Sequence, residues 1–133
     1  MTVVAPVRYP LTSRSKRTLR RAVDVAGERD LPLTVLHVNL YQNGRGVSRR
    51  DLKSAVERSV GRIDTARYVV REGLLVEETI LEEIHAENAA VVVIGGRQAG
   101  RWRRLLRRIA GQPDVEAYLR EQLDCELLVV GEG

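Results

Sequence analysis

The sequence has little of the chemistry that redox, metal-binding and membrane proteins require. It contains one cysteine, Cys125, and two histidines, so an internal disulfide is excluded and no residue spacing fits a zinc site. No apolar run approaches the roughly 20 residues that a membrane helix needs. Neither a basic segment nor a cleavage site of a signal peptide is found at the amino terminus, and we therefore expect a cytoplasmic protein.

Aromatic residues are also scarce. They make up 4% of the chain, with no phenylalanine and a single tryptophan. Proteins that bind single-stranded nucleic acid usually stack bases on exposed aromatic side chains, so the scarcity argues against that class. The remaining composition is ordinary, with 133 residues, 44% hydrophobic and 30% charged. It excludes wholesale disorder and predicts one domain over residues 1–133.

Charge is distributed unevenly along the chain. The formal net charge is +4, but residues 97–108 hold six arginines and no acid, whereas residues 72–87 are rich in glutamate. Such a distribution attracts anions locally, toward the arginine segment, rather than over the whole surface.

Five short runs of β-branched and aliphatic residues predict strands. The fourth run is apolar at every position, which is typical of a parallel strand covered by helices on both faces. Amphipathic segments lie between the runs, with helix caps at Thr12 or Ser13 and at Ser48 with Asp51. The last helix is expected to start with Pro113 and Asp114, because proline suits the first turn of a helix. This alternation predicts an α/β fold with a doubly wound, five-stranded parallel sheet. The runs are residues 3–7, 33–38, 66–70, 90–94 and 126–130.

In an open parallel sheet, ligands bind beyond the carboxyl ends of the strands, where the winding direction reverses. If the first and fourth strands flank that point, residues 6–10 face residues 95–100. The glycines of the second segment fit either a backbone that approaches a phosphate or a plain strand-to-helix turn with a glycine at positive φ. Both interpretations remain open. The candidate residues here are Pro6, Val7, Arg8, Gly95, Gly96, Arg97 and Gly100.

The order of elements and three segments together resemble the universal stress proteins. The segments are Leu-Thr-Val-Leu-His-Val at 33–38, Val-Val-Val-Ile-Gly-Gly-Arg at 91–97 and Asp-Cys-Glu-Leu-Leu-Val-Val at 124–130. The resemblance covers essentially the whole chain. It implies a strand order of 3-2-1-4-5 and a homodimer, commonly formed through the last strand.

Members of that family that bind ATP carry a Gly-x-x-Gly motif, a later Gly followed by Ser or Thr, and an Asp near the end of the first strand. Here Gly95 matches the first glycine, but Gln98 stands at the second, Gln112 follows Gly111, and Arg8 occupies the Asp position. The resemblance therefore carries over only backbone positions. These are Pro6 and Val7, Val38 at the adenine wall, and Ile94 with Gly95.

An arginine at the Asp position changes the expected chemistry. It holds neither magnesium nor a ribose hydroxyl, but its planar fork pairs with phosphate. We therefore expect a non-enzymatic stress-response module with no metal, no resident cofactor and no catalytic residue. It would work through protein partners or through a small anionic ligand, such as a nucleotide. Arg8 either binds that anion or plugs an abandoned site. An ATP-binding protein with slow hydrolysis remains the alternative.

Residues 101–109 predict an amphipathic helix with Trp102, Leu105, Leu106 and Ile109 on one face. We expect its arginines to be solvated and to pair with glutamates of the third helix. Nucleic-acid binding through this helix is a weaker alternative, because it usually needs a wider basic surface. A phosphate clamp beside the strand ends and binding to acidic membranes are two further alternatives. We expect neither nucleic acid nor membrane as a partner.

Two reactive residue types have ordinary explanations. His37 lies inside a predicted strand and is expected to be a hydrogen-bonded core histidine. Cys125 precedes the last strand and is expected to be a small buried residue, not a reactive thiol.

Overall fold

Parallel strands and helices alternate along the chain, as the apolar runs predict. The computed structural model describes residues 1–44, 46–111 and 114–131. Its five strands form one parallel sheet in the order β3-β2-β1-β4-β5, which confirms the expected fold class and strand order. The strands are β1 (Val3–Pro6), β2 (Leu33–Leu40), β3 (Ala66–Gly73), β4 (Val91–Gly95) and β5 (Glu126–Val130); the α-helices are α1 (Ser13–Arg29), α2 (Arg49–Val60), α3 (Val76–Ala86), α4 (Gly96–Ala110) and α5 (Val115–Leu123), and a short 3-10 helix covers Tyr41–Asn43.

Side chains of the central strands alternate between two cores, one on each face of the sheet. Val3 and Val91 pack with α1 and α2, whereas Val4 and Val92 pack with α3, α4 and α5. All four are fully buried. Because both faces are covered, the central strands are apolar at nearly every position.

The predicted helix caps are present. The Thr12 hydroxyl accepts a hydrogen bond from the Ser15 amide at 3.1 Å and starts α1. Ser48 and Asp51 form the predicted capping box of α2. The Asp114 side chain caps α5, while the predicted first-turn residue Pro113 lies outside the described residues.

No loop separates β4 from α4. The strand ends at Gly95 and the helix begins at Gly96, with Gly95 as its cap at φ −83°. Neither glycine is at positive φ, so the alternative of a strand-to-helix turn with a glycine at positive φ is wrong. Gly111 instead adopts the left-handed conformation, at φ 65°, where it ends α4.

The apolar face of α4 is narrower than predicted. Trp102 and Leu106 are each 1% exposed and pack on the sheet, together with Ala99. Ile109, in the last turn of α4, is 56% exposed, contrary to expectation, and the buried positions of the helix end at Leu106. None of the described helices is long and apolar enough to cross a membrane.

We predict that Gly73→Ala is destabilising, because an added methyl group would overlap the Thr79 hydroxyl. That hydroxyl donates a hydrogen bond to the Leu75 carbonyl at 2.7 Å, so it cannot move freely. Chemical denaturation should show a loss of about 1–3 kcal/mol in the free energy of unfolding. Gly27→Ala is the matched control: nothing lies within 4 Å of the added atom, and we expect a gain of about 0.5–1 kcal/mol. Equal stabilities of the two variants would contradict this account.

We predict that Cys125 is unreactive in the folded protein. The residue is 1% exposed, as expected from the sequence, and burial raises the pKa of its thiol to about 11. The thiol therefore stays protonated at pH 8, where alkylation requires the thiolate. Mass spectrometry should find no adduct after treatment of the native protein with iodoacetamide, and complete alkylation after unfolding. Alkylation of the native protein at the unfolded rate would show that the thiol is accessible.

Candidate functional site

The candidate site lies where the two central strands separate. β1 pairs with β4 at two positions, Val3 with Val91 and Val4 with Val92. Beyond them, β1 stays beside β2 and β4 stays beside β5. A cavity of about 700 Å³, here called the crevice, opens over this gap at the carboxyl ends of the strands. Its volume falls within the range of small-molecule sites.

The crevice brings together six of the nine predicted binding residues. Ile94 is absent from its lining because its side chain is fully buried in the core. Gly96 and Gly100 belong to the first turns of α4 and do not line it either. The six in the crevice wall are Pro6, Val7, Arg8, Val38, Gly95 and Arg97.

Positive charge dominates the crevice. Four arginines line it: Arg8 after β1, Arg14 in the first turn of α1, and Arg97 and Arg101 in the first two turns of α4. Among the described lining residues, Asp51 carries the one carboxylate, and it accepts a hydrogen bond from the Ser48 amide at 3.3 Å within the α2 cap. The described wall is therefore strongly cationic.

Arg101 is the most enclosed of these arginines and was not predicted as a site residue. Its side chain is 23% exposed, and its Nε lies 3.8 Å from Glu77 Oε1. Burial lowers the pKa of Arg101, and the neighbouring charge of Arg8 lowers it further. Its position one turn after Arg97 was the sequence signal that could have identified it.

The amino-terminal ends of α1 and α4 lie at the crevice, and they add positive potential. Thr12 and Ser15 of the α1 start line the wall. The α4 start has no side-chain cap at Gly95 and no acid in its first turn. Its first backbone amides therefore have no intrahelical acceptor and no side-chain partner at the cap.

His37 lies in the crevice wall rather than in the core. The predicted hydrogen bond is present: Nδ1 is 3.0 Å from the Val7 carbonyl oxygen, and since a carbonyl only accepts, Nδ1 donates. The side chain is half-buried, however, and its ring packs edge-on against Tyr9 with centroids 6.2 Å apart. Nδ1 is thus occupied, which leaves Nε2 as the ring nitrogen available to a ligand.

Gln98 adds a further donor. It lines the crevice, and its amide Nε2 is buried without a hydrogen-bond partner among the described residues. A buried amide donor that lacks an acceptor costs stability, and a ligand oxygen would satisfy it.

The donor set fits an anion better than a magnesium nucleotide. Magnesium prefers carboxylate oxygens, but Arg8 follows β1 and the Asp51 carboxylate is held in a helix cap. Among the described residues, no three His, Cys, Asp or Glu side chains are grouped so that they could hold a metal ion.

The expected pairing between α4 arginines and α3 glutamates occurs at one point. Arg101 approaches Glu77, as noted above. Glu82 and Glu83 pair instead with Arg71 of β3, at 3.2 and 2.8 Å. β3 therefore supplies the cation that neutralises this part of α3, and the other α4 arginines are left without those partners.

Comparison with known proteins places this architecture in a family. The chain matches the universal stress protein family over residues 1–131. No curated protein matches it. Among solved structures, a universal stress protein in complex with cAMP is 16% identical, with a TM-score of 0.57, and the match covers 97% of this chain and 96% of that one.

Two further structures have the same fold. A universal stress protein from Archaeoglobus fulgidus is 17% identical, with 97% of each chain covered and a TM-score of 0.57. The universal stress protein UspA from Lactobacillus plantarum is 13% identical, with the same coverage and a TM-score of 0.59. Identities this low establish the shared fold alone. The match over residues 1–131 goes further: this chain belongs to the universal stress protein family.

Proposed function

We propose that this protein is a cytoplasmic, non-enzymatic and homodimeric stress-response module whose crevice binds a small anion or a nucleotide without a metal ion. The observation that carries the ligand class is the crevice wall itself. Its described residues include four arginines and a single carboxylate, which is already engaged in a helix cap.

The geometry supports phosphate as the recognised group. Arg8 and Arg97 both line the crevice, one after the end of β1 and the other in the first turn of α4. Guanidinium forks form paired, charge-assisted hydrogen bonds with phosphate oxygens. The uncapped amides at the α4 start supply additional donors for the same anion.

Other groups in the wall fit the rest of a nucleotide. His37 Nε2 can accept from a sugar hydroxyl while Nδ1 stays bound to the Val7 carbonyl. Thr18 and Val38 also line the crevice, one polar and one apolar. One structural neighbour was solved with cAMP, a nucleotide with a single phosphate, which supports this ligand class for the fold.

We predict metal-independent binding of cAMP and of inorganic phosphate, measured by isothermal titration calorimetry with and without Mg²⁺. Arg8→Gln should weaken the binding of cAMP and of phosphate by at least about tenfold, because each ligand loses a charge-assisted hydrogen bond. Arg20→Gln is the matched control, since Arg20 is an exposed arginine of α1 that does not line the crevice. We expect its effect to be less than about twofold.

The same titration with ATP tests the alternative function, an ATP-binding protein with slow hydrolysis. If ATP bound only in the presence of Mg²⁺, the metal-free account of the crevice would be wrong. If neither phosphate nor any of these nucleotides bound, or if Arg20→Gln weakened binding as much as Arg8→Gln, the proposed ligand class would be wrong.

Dimerisation through β5 rests on the position of that strand. β5 is an edge of the sheet, so one side of its backbone has no neighbouring strand. Exposed edges favour pairing with a second chain. At the start of β5, Arg29 donates two hydrogen bonds to the Glu126 carboxylate, at 2.8 and 2.9 Å. Val129, near the end of β5, is 49% exposed. An apolar edge strand of this kind is suited to pairing with β5 of a second copy of the chain across a twofold axis.

We predict that Val129→Lys converts a dimer into a monomer at micromolar concentration. A lysine on an edge strand opposes pairing because its charge is desolvated in the contact. Leu74→Lys is the matched control, because Leu74 is 68% exposed and follows β3 at the other end of the sheet. Size-exclusion chromatography with light scattering should give a dimer for wild type and Leu74→Lys. A wild-type monomer, or a dimer that Val129→Lys leaves intact, would contradict the proposed interface.

A further inference from the structure

The arginines of α4 are arranged in a row that begins in the crevice. At 3.6 residues per turn, Arg97, Arg101, Arg104 and Arg108 fall within about 60° of one another around the helix axis. Arg97 and Arg101 line the crevice. Arg104 and Arg108 continue the row away from it toward the end of α4. These four residues are called the arginine row below, and they cover about 16 Å of helix.

The cations of the arginine row repel one another, and few carboxylates neutralise them. Burial lowers the pKa of Arg101, and the like charges of Arg8, Arg104 and Arg97 lower it further, so each of these three cations lies within electrostatic reach of Arg101. Only Arg101 has a carboxylate nearby, at 3.8 Å. No ion pair or hydrogen bond joins the guanidinium groups of Arg97, Arg104 or Arg108 to another described residue.

The surroundings of the row narrow the choice of polyanion. The apolar side of α4 is already used, because Ala99, Trp102 and Leu106 are buried against the sheet. A helix that inserts into a membrane surface needs that side free. With Trp102 buried, the described part of α4 also offers no aromatic platform on which the bases of a nucleic acid could stack.

A single phosphate in the crevice contacts only the first part of this row. Arg108 lies three turns of helix beyond Arg97, so a ligand that engages both must be a chain of anionic groups. We propose that the arginine row binds linear inorganic polyphosphate, with one end of the chain in the crevice and the following phosphates along α4. This inference rests on the proposed anion-binding function of the crevice and adds the substrate class.

The test compares probes of increasing length: orthophosphate, tripolyphosphate and long-chain polyphosphate, titrated calorimetrically at fixed ionic strength without Mg²⁺. Affinity per chain should rise with length. Arg104→Gln/Arg108→Gln should weaken long-chain binding by at least about fivefold and leave orthophosphate binding unchanged. The matched control is Arg103→Gln/Arg107→Gln, which removes the same charge from exposed residues about 110° away around the helix. The control should weaken long-chain binding by less than about twofold.

Salt dependence provides an independent check. The slope of log affinity against log salt reports the number of phosphate contacts. For the Arg104→Gln/Arg108→Gln variant, the slope should therefore decrease by the equivalent of about two phosphate contacts. Equal losses in the two double variants would indicate general electrostatic attraction and would overturn the proposal.

Other outcomes would reject the proposal in identifiable ways. Tighter binding of a single-stranded oligoribonucleotide than of polyphosphate would assign the row to nucleic acid, and binding to acidic phospholipid vesicles in preference to polyphosphate would assign it to a membrane. Equal affinity for orthophosphate and the long chain would overturn the inference and leave the crevice function standing. Absence of orthophosphate and nucleotide binding would overturn the proposed function itself.

Discussion

The short contact between β1 and β4 determines where the crevice of this protein lies. Two backbone pairs join the strands, and each strand then continues with its other neighbour. The chain winds to one side of β1 through β2 and β3, and to the other side through β4 and β5. Because the connections leave in opposite directions, the space above the two strand ends stays open. The remaining architecture surrounds that opening.

The charge of the opening follows from which residues stand at its rim. β1 is followed by Arg8, α4 starts without an acid or a side-chain cap, and Arg101 is enclosed beside other cations. Concentrated like charge destabilises a folded chain unless an anion relieves it. A local loss of folding stability of this kind is characteristic of binding sites, where the residues present serve ligand binding rather than the stability of the fold.

Much of the fold was predictable because its physical signals are local. Aliphatic runs located all five strands, and Thr12, Ser48 and Asp51 located two helix starts. The ends of β2 and β3 were missed by two and three residues. Both strands continue to pair past the end of β1, where Asn39 and Glu72 interrupt the aliphatic pattern.

The site was less accessible to sequence reasoning. The backbone position of Arg8 follows from strand order, and the structure puts it in the crevice wall. His37 and Arg101 were missed as wall residues because their neighbours come from other elements: Val7 and Tyr9 around His37, and Glu77 beside Arg101. Hydrophobic periodicity describes one helix or strand at a time. It carries no information on which elements meet at the carboxyl ends of the strands.

The central claim is that an anion occupies the gap between β1 and β4, held by arginine. A crystal grown with selenate tests it directly, because selenium gives an anomalous signal that water and protein atoms do not. We expect an anomalous peak within hydrogen-bond distance of the Arg8 and Arg97 guanidinium groups. Selenate found only on outward-facing arginines, with none in the crevice, would contradict the account.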